Sequence, residues 1–80
     1  MYDLDTSGKR IKILRTAAEL KQSELAERVG IAQNSISMYE GDKYQLSTDL
    51  AIKLAAALNT SPAYLLCLTA DPEPAEAVHA

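Results

Sequence analysis

The run "SELAERVGIAQNSISMYE", Ser23 to Glu40, constrains the fold more than any other stretch of the chain. Leu25, Ala26 and Val29 recur at helical spacing, Gly30 interrupts them, and Ile36 and Tyr39 resume the spacing after only Ile31 and Ala32. Two helices joined so tightly need a small residue where they cross. They also need a residue that turns the chain in the left-handed conformation at the end of the first. Ala26 and Gly30 stand at those places. An ordinary helical hairpin makes the same demands, so the joint alone does not settle what the chain does.

The outward face of the second of these helices, from about Gln33 to Glu40, adds the discriminating feature. Gln33, Asn34, Ser37 and Met38 follow i, i+1, i+4, i+5 and share the face opposite Ile36 and Tyr39. That face offers amides and a hydroxyl, and no lysine or arginine appears until Lys43. A merely solvated polar surface is the competing explanation.

The remaining segments are also helical in period, and no strand alternation is evident. In "GKRIKILRTAA", Ile11, Leu14 and Ala18 form an i, i+3, i+7 stripe. After the loop "GDKYQL", Ser47 is an expected N-cap, with Asp49 favourable in the first turn, and Ala51, Leu54, Ala55 and Leu58 form a buried stripe. Ser61 followed by Pro62 opens a short apolar fifth helix. With no Phe or Trp, the core must come from Leu, Ile, Val and Ala, and 80 residues allow one domain. The expected organisation is a flexible N-terminal arm at 1–7, an all-α five-helix domain at 8–67, and an acidic, disordered tail at 68–80.

Net charge is −3, which on its face opposes nucleic-acid binding. Five of the acids, Asp3, Asp5, Asp71, Glu73 and Glu76, lie in the arm and tail. Without them the body holds eight basic residues against six acidic ones. Catalysis is not expected. Cys67 is the single cysteine and His79 lies in the tail, so neither a nucleophile–base pair nor a metal-ligand cluster is present, and no cofactor is implied. Cys67 is expected to be a small buried apolar residue. No apolar run approaches the roughly 20 residues of a membrane span, and the first ten residues lack the order of a signal peptide. A cytoplasmic protein is expected, with no second unit to house a small-molecule switch.

Taken together, "RIKILR" and "LKQSELAERVGIAQNSISMYEGDK" resemble the helix-turn-helix domain of phage repressors, Cro proteins and related bacterial regulators (the XRE type). Arg10, Ile11, Leu14, Arg15, Leu20, Gln22, Glu24, Leu25, Ala26, Gly30, Ile31, Ile36, Ser37, Tyr39 and Glu40 carry the resemblance, which covers about residues 8 to 67. It implies a lambda-repressor-like fold in which helices two and three form the motif. Helix three then lies in the major groove of double-stranded DNA, where an amide can pair with adenine N6 and N7 at once. On that reading Gln33, Asn34, Ser37 and Met38 contact bases, and Gln22 and Lys43 contact phosphate. Lys21 and Arg10, with Lys9, are further phosphate candidates for which ordinary surface charge is the rival explanation. Arg15 and Glu40 would form a structural ion pair.

Some positions depart from the pattern. Ala32 cannot cap helix three, and Lys21 stands where a capping hydroxyl is frequent. Glu19 replaces a common glycine, and Asp42 would face phosphate unfavourably. Base contacts are worth roughly 1–3 kcal/mol each, whereas specific recognition needs about 4–10 kcal/mol over non-specific binding. One copy barely reaches that range, so a homodimer on a palindromic operator is expected. Tyr64, Leu65 and Leu68 are the expected contact, with Leu65 serving equally well as core. The implied function is a bacterial or phage-encoded repressor. The alternative is a protein-interaction module on the same fold, an antitoxin or adaptor, whose partner meets the acidic tail.

Overall fold

The computed structural model describes residues 6–73, and among them every regular element is a helix. They are α1 (Ser7–Ala17), α2 (Gln22–Val29), α3 (Gln33–Glu40), α4 (Thr48–Leu58) and α5 (Pro62–Leu65). Thr6 caps α1, accepting from the Lys9 N–H, and Ser47 and Ser61 cap α4 and α5 in the same way. Gly30 ends α2 at φ 78°, and its N–H and that of Ile31 both close onto the Ala26 carbonyl. Asn59 ends α4 in the same left-handed region at φ 57°. The joint between α2 and α3 is built as its residue pattern predicts.

One core serves all five helices. Ile11, Leu25, Ile36, Leu54 and Leu65 are fully buried at its centre, and Ala26, Val29, Leu46, Leu50, Ala51, Ala55 and Leu58 complete it. α3 packs against both α2 and α1, while α4 supports α2 and carries α5. α1 reaches across to α5 and so joins the two ends of the domain. No helix among the described residues is long and apolar enough to cross a membrane.

Four expectations need correction. Ala18 is exposed and forms the end of α1, so the buried side of that helix is carried by Ile11 and the half-buried Leu14. Leu65 is wholly buried, which makes it core and removes it from any surface contact. Cys67 is exposed, at φ 62°, with its sulfur 3.9 Å from the Ser7 hydroxyl. The domain boundaries also move. Thr6 and Ser7 belong to α1 and its cap rather than to an arm. At the other end the Thr69 carbonyl accepts from Arg10 and the Pro72 carbonyl accepts from the Thr60 hydroxyl, so the chain stays fastened to the body as far as Pro72. Residues 1–5 of the arm and 74–80 of the tail, with His79, lie outside the described residues.

Candidate nucleic-acid interface

α3 presents its hydrogen-bonding side chains outward because its apolar positions are consumed by the core. Ile36 is fully buried and Tyr39 is half-buried, which leaves Gln33, Asn34 and Ser37 exposed together, with Met38 half-buried at their edge. Ala32 supplies no side-chain cap, so no side chain covers the first turn of the helix. The face is therefore amide and hydroxyl, with an open helix N-terminus beside it.

The helix behind this face is held by a buried polar cluster. Arg15 Nε donates to Glu40 Oε2 at 2.5 Å and Nη2 to Oε1 at 3.2 Å, a two-pronged pair with side chains only 13% and 4% exposed. Arg15 Nη1 also donates to the Leu20 carbonyl at 2.6 Å, locking the turn between α1 and α2. Gln22 Nε2 donates to Glu40 Oε1 at 3.0 Å. Glu40 thus ties α1, α2 and α3 together at one point, and the predicted Arg15–Glu40 pair is present. The same contact engages one amide N–H of the half-buried Gln22 with Glu40.

The cationic candidates separate into two kinds. Lys21 and Lys43 are exposed at the start of α2 and in the loop after α3. At Lys21 the backbone N–H donates to Glu24 Oε1 at 2.7 Å, while the lysine, lacking an acceptor, leaves the other half of a capping box unmade. Arg10 is not a surface residue. It is 7% exposed, and its Nη1 donates to the carbonyls of Tyr64 (2.8 Å) and Thr69 (2.7 Å). Its guanidinium carbon also sits 4.2 Å from the Tyr64 ring centroid. Arg10 is corrected from phosphate candidate to the link between α1 and the C-terminal segment. Tyr64 in turn is occupied by Arg10, and of the three expected dimer contacts Leu68, 75% exposed, is the most open.

Three features of the interface escape a reading of the sequence. Asp42, though exposed, is engaged within the fold: its Oδ1 accepts from the Gly8 N–H at 3.0 Å and its Oδ2 from the Thr6 hydroxyl at 2.6 Å. Gly8 lies so close to the end of α3 that an added Cβ would meet the carbonyl oxygens of Tyr39 and Glu40. Tyr44 is exposed and packs edge-on against Tyr39, with ring centroids 5.4 Å apart at 79°. Gly8 in the first turn of α1 was the one available sequence signal, since glycine there sacrifices helix propensity.

Comparison with known proteins agrees with this geometry. The helix-turn-helix family model matches residues 11–65. The chain is 38% identical over 65 residues to the uncharacterized HTH-type transcriptional regulator YobD of Bacillus subtilis, covering 81% of this chain and 58% of that protein. It is 43% identical over 54 residues to the antitoxin PezA of Streptococcus pneumoniae, covering 68% of this chain and 34% of PezA. The chain thus spans from about a third to just over half of these relatives' length. Among solved structures it resembles the P22 c2 repressor in complex with a synthetic operator. There the TM-score is 0.73 at 31% identity, over 76% of this chain and 92% of that one. The chain belongs to the phage repressor and Cro-like helix-turn-helix family, a family of DNA-binding transcription regulators and not of enzymes.

Proposed function

We propose that this protein is a sequence-specific double-stranded-DNA-binding transcription regulator, a repressor, that reads the major groove with α3 as a homodimer on a palindromic site. The observation that carries the reading is the exposed Gln33–Asn34–Ser37 face on a helix clamped from behind by Arg15, Glu40 and Gln22. Base-reading amides are useful only if their geometry is fixed before binding, because a hydrogen bond misplaced by an ångström loses its selectivity. Gln33 and Asn34 supply paired donors and acceptors for adenine, Ser37 a further polar contact, and Met38 an apolar one for a thymine methyl. Lys43, Lys21 and the uncapped first turns of α2 and α3 supply phosphate contacts. The folded unit that does this runs from Thr6 to Pro72, and its setting on this reading is a bacterial cytoplasm, which the bacterial origin of its relatives supports.

Dimerisation follows from the magnitudes. Two copies on half-sites about one helical turn apart double the base contacts and reach the roughly 4–10 kcal/mol that specific sites need. Leu68 is the open contact for it, beside Tyr64, whose ring is held by Arg10. The second reading, a protein-binding antitoxin or adaptor, draws on the kinship with PezA. Selection of bound duplexes from a randomised pool, with wild type and Gln33→Ala in parallel at two salt concentrations, separates them. A palindromic, adenine-containing site that relaxes in the variant is expected. Weak, salt-sensitive binding with no enriched site would favour the protein partner.

A further inference from the structure

Asp42 carries a side chain in the left-handed region at φ 59°, a conformation that an L residue adopts at a cost and that needs compensation from its surroundings. Here the compensation is a pair of hydrogen bonds to another element. The carboxylate accepts from the Gly8 N–H and the Thr6 hydroxyl, so it caps α1 from a segment distant in sequence while Thr6 caps it locally. At the same point the chain folds back onto α3: the N–H groups of Gly41, Asp42 and Lys43 donate to the carbonyls of Ser37, Tyr39 and Met38. Lys43 is the next residue, exposed, and Tyr44 after it is braced against Tyr39. The loop is therefore pinned on both sides of its only cation.

We propose that Asp42 is a positioning residue for DNA binding: by fastening the end of α3 to the first turn of α1 it sets where Lys43 meets the phosphate backbone relative to the amides of α3. This rests on the DNA-binding reading above. It reverses the electrostatic expectation for an acid beside a phosphate-binding lysine, and the reversal is measurable. A glycine at 42 adopts the same backbone conformation without strain but cannot fasten α1, whereas asparagine tolerates it and keeps an acceptor.

The test uses the full chain and the duplex that wild type itself recovers from a randomised pool, with thermal unfolding of every variant recorded alongside. Asp42→Gly is expected to bind that duplex about tenfold more weakly, and the slope of log affinity against log salt is expected to fall by about 0.9, one phosphate contact. Asp42→Asn should stay within about twofold of wild type. Thr6→Val, which keeps the carboxylate and removes one of its donors, should weaken binding in the same direction, and it serves if Asp42→Gly does not fold. Wild-type affinity and slope in Asp42→Gly, or in a folded Thr6→Val, overturns the proposal. So does tighter binding by both Asp42→Gly and Asp42→Asn, which would mean that the carboxylate merely repels phosphate. Failure of wild type to recover any duplex would instead reject the DNA-binding reading.

Discussion

Alanine at position 8 would favour helix α1 over glycine by about 1 kcal/mol on propensity alone. The packing reverses the sign. A Cβ there would lie 2.6 Å from the Glu40 carbonyl oxygen and 2.8 Å from Asp42 Oδ1, and backbone atoms of a packed helix end cannot move aside cheaply. Gly8→Ala should therefore destabilise by about 1–3 kcal/mol, read as a lower urea midpoint at unchanged slope. The Arg15–Glu40 pair gives a second residue-scale prediction, with a built-in control. Its side chains are nearly buried, so Glu40→Ala leaves the Arg15 cation without its counter-charge and the Gln22 amide without that acceptor, and should cost about 3–5 kcal/mol. Replacing both partners, Arg15→Met with Glu40→Leu, removes the stranded charge along with the pair and should recover most of that loss. A double variant as unstable as the single one would show that the pair contributes net stability and does more than orient α3.

Two elements carry ends that their residues do not suit. Glu19 closes the turn after α1 at φ 60°, with its N–H on the Thr16 carbonyl, and α3 begins on Ala32 without a side-chain cap. Glu19→Gly should raise stability by about 1 kcal/mol by relieving the left-handed residue. Ala32→Ser should add about 0.5–1 kcal/mol as an N-cap, and differential unfolding of the two single variants and their combination checks both. If the sites are independent the gains will add. The same elements explain what the sequence discloses. α2, α3 and the joint between them are legible because their signals are local: Gly30 ends one helix, and apolar spacing fixes the buried side of the other. The α4 and α5 caps are legible for the same reason. Arg10, Asp42 and Gly8 are not, because their partners are backbone carbonyls, an N–H and a hydroxyl more than thirty residues away, and such partners leave no pattern in the chain. A basic residue in α1 reads as surface charge until the fold brings Tyr64 and Thr69 to it. Leu65 is ambiguous between core and contact for the same reason, since its four-residue helix offers too little period to define a face.

At the scale of the whole molecule, the question is where a minimal domain can end. The helical pattern ends near Cys67, and the acidic, proline-containing composition that follows suggests nothing worth keeping. The hydrogen bonds disagree. Thr69 supplies one of the two carbonyls that receive the buried Arg10 guanidinium, and Pro72 supplies the acceptor for Thr60, itself 5% exposed. The segment from Leu68 to Pro72 thus fastens to α1 and to the turn between α4 and α5. A chain stopped after Cys67 loses a bond to a charged donor, worth about 1.5–3 kcal/mol, and a neutral one worth about 0.5–1.5 kcal/mol. Part of that is returned as water reaches the uncovered groups, so a net loss of about 2–3 kcal/mol is expected. For a domain of this size that corresponds to a fall in Tm on the order of 10–20 °C. A chain stopped after Glu73 keeps both bonds and should melt with the full-length protein. Thermal unfolding of the two truncations side by side decides the matter: equal melting would return the boundary to residue 67 and reduce the Arg10–Thr69 contact to a surface decoration, while a split places the functional unit's end at Pro72.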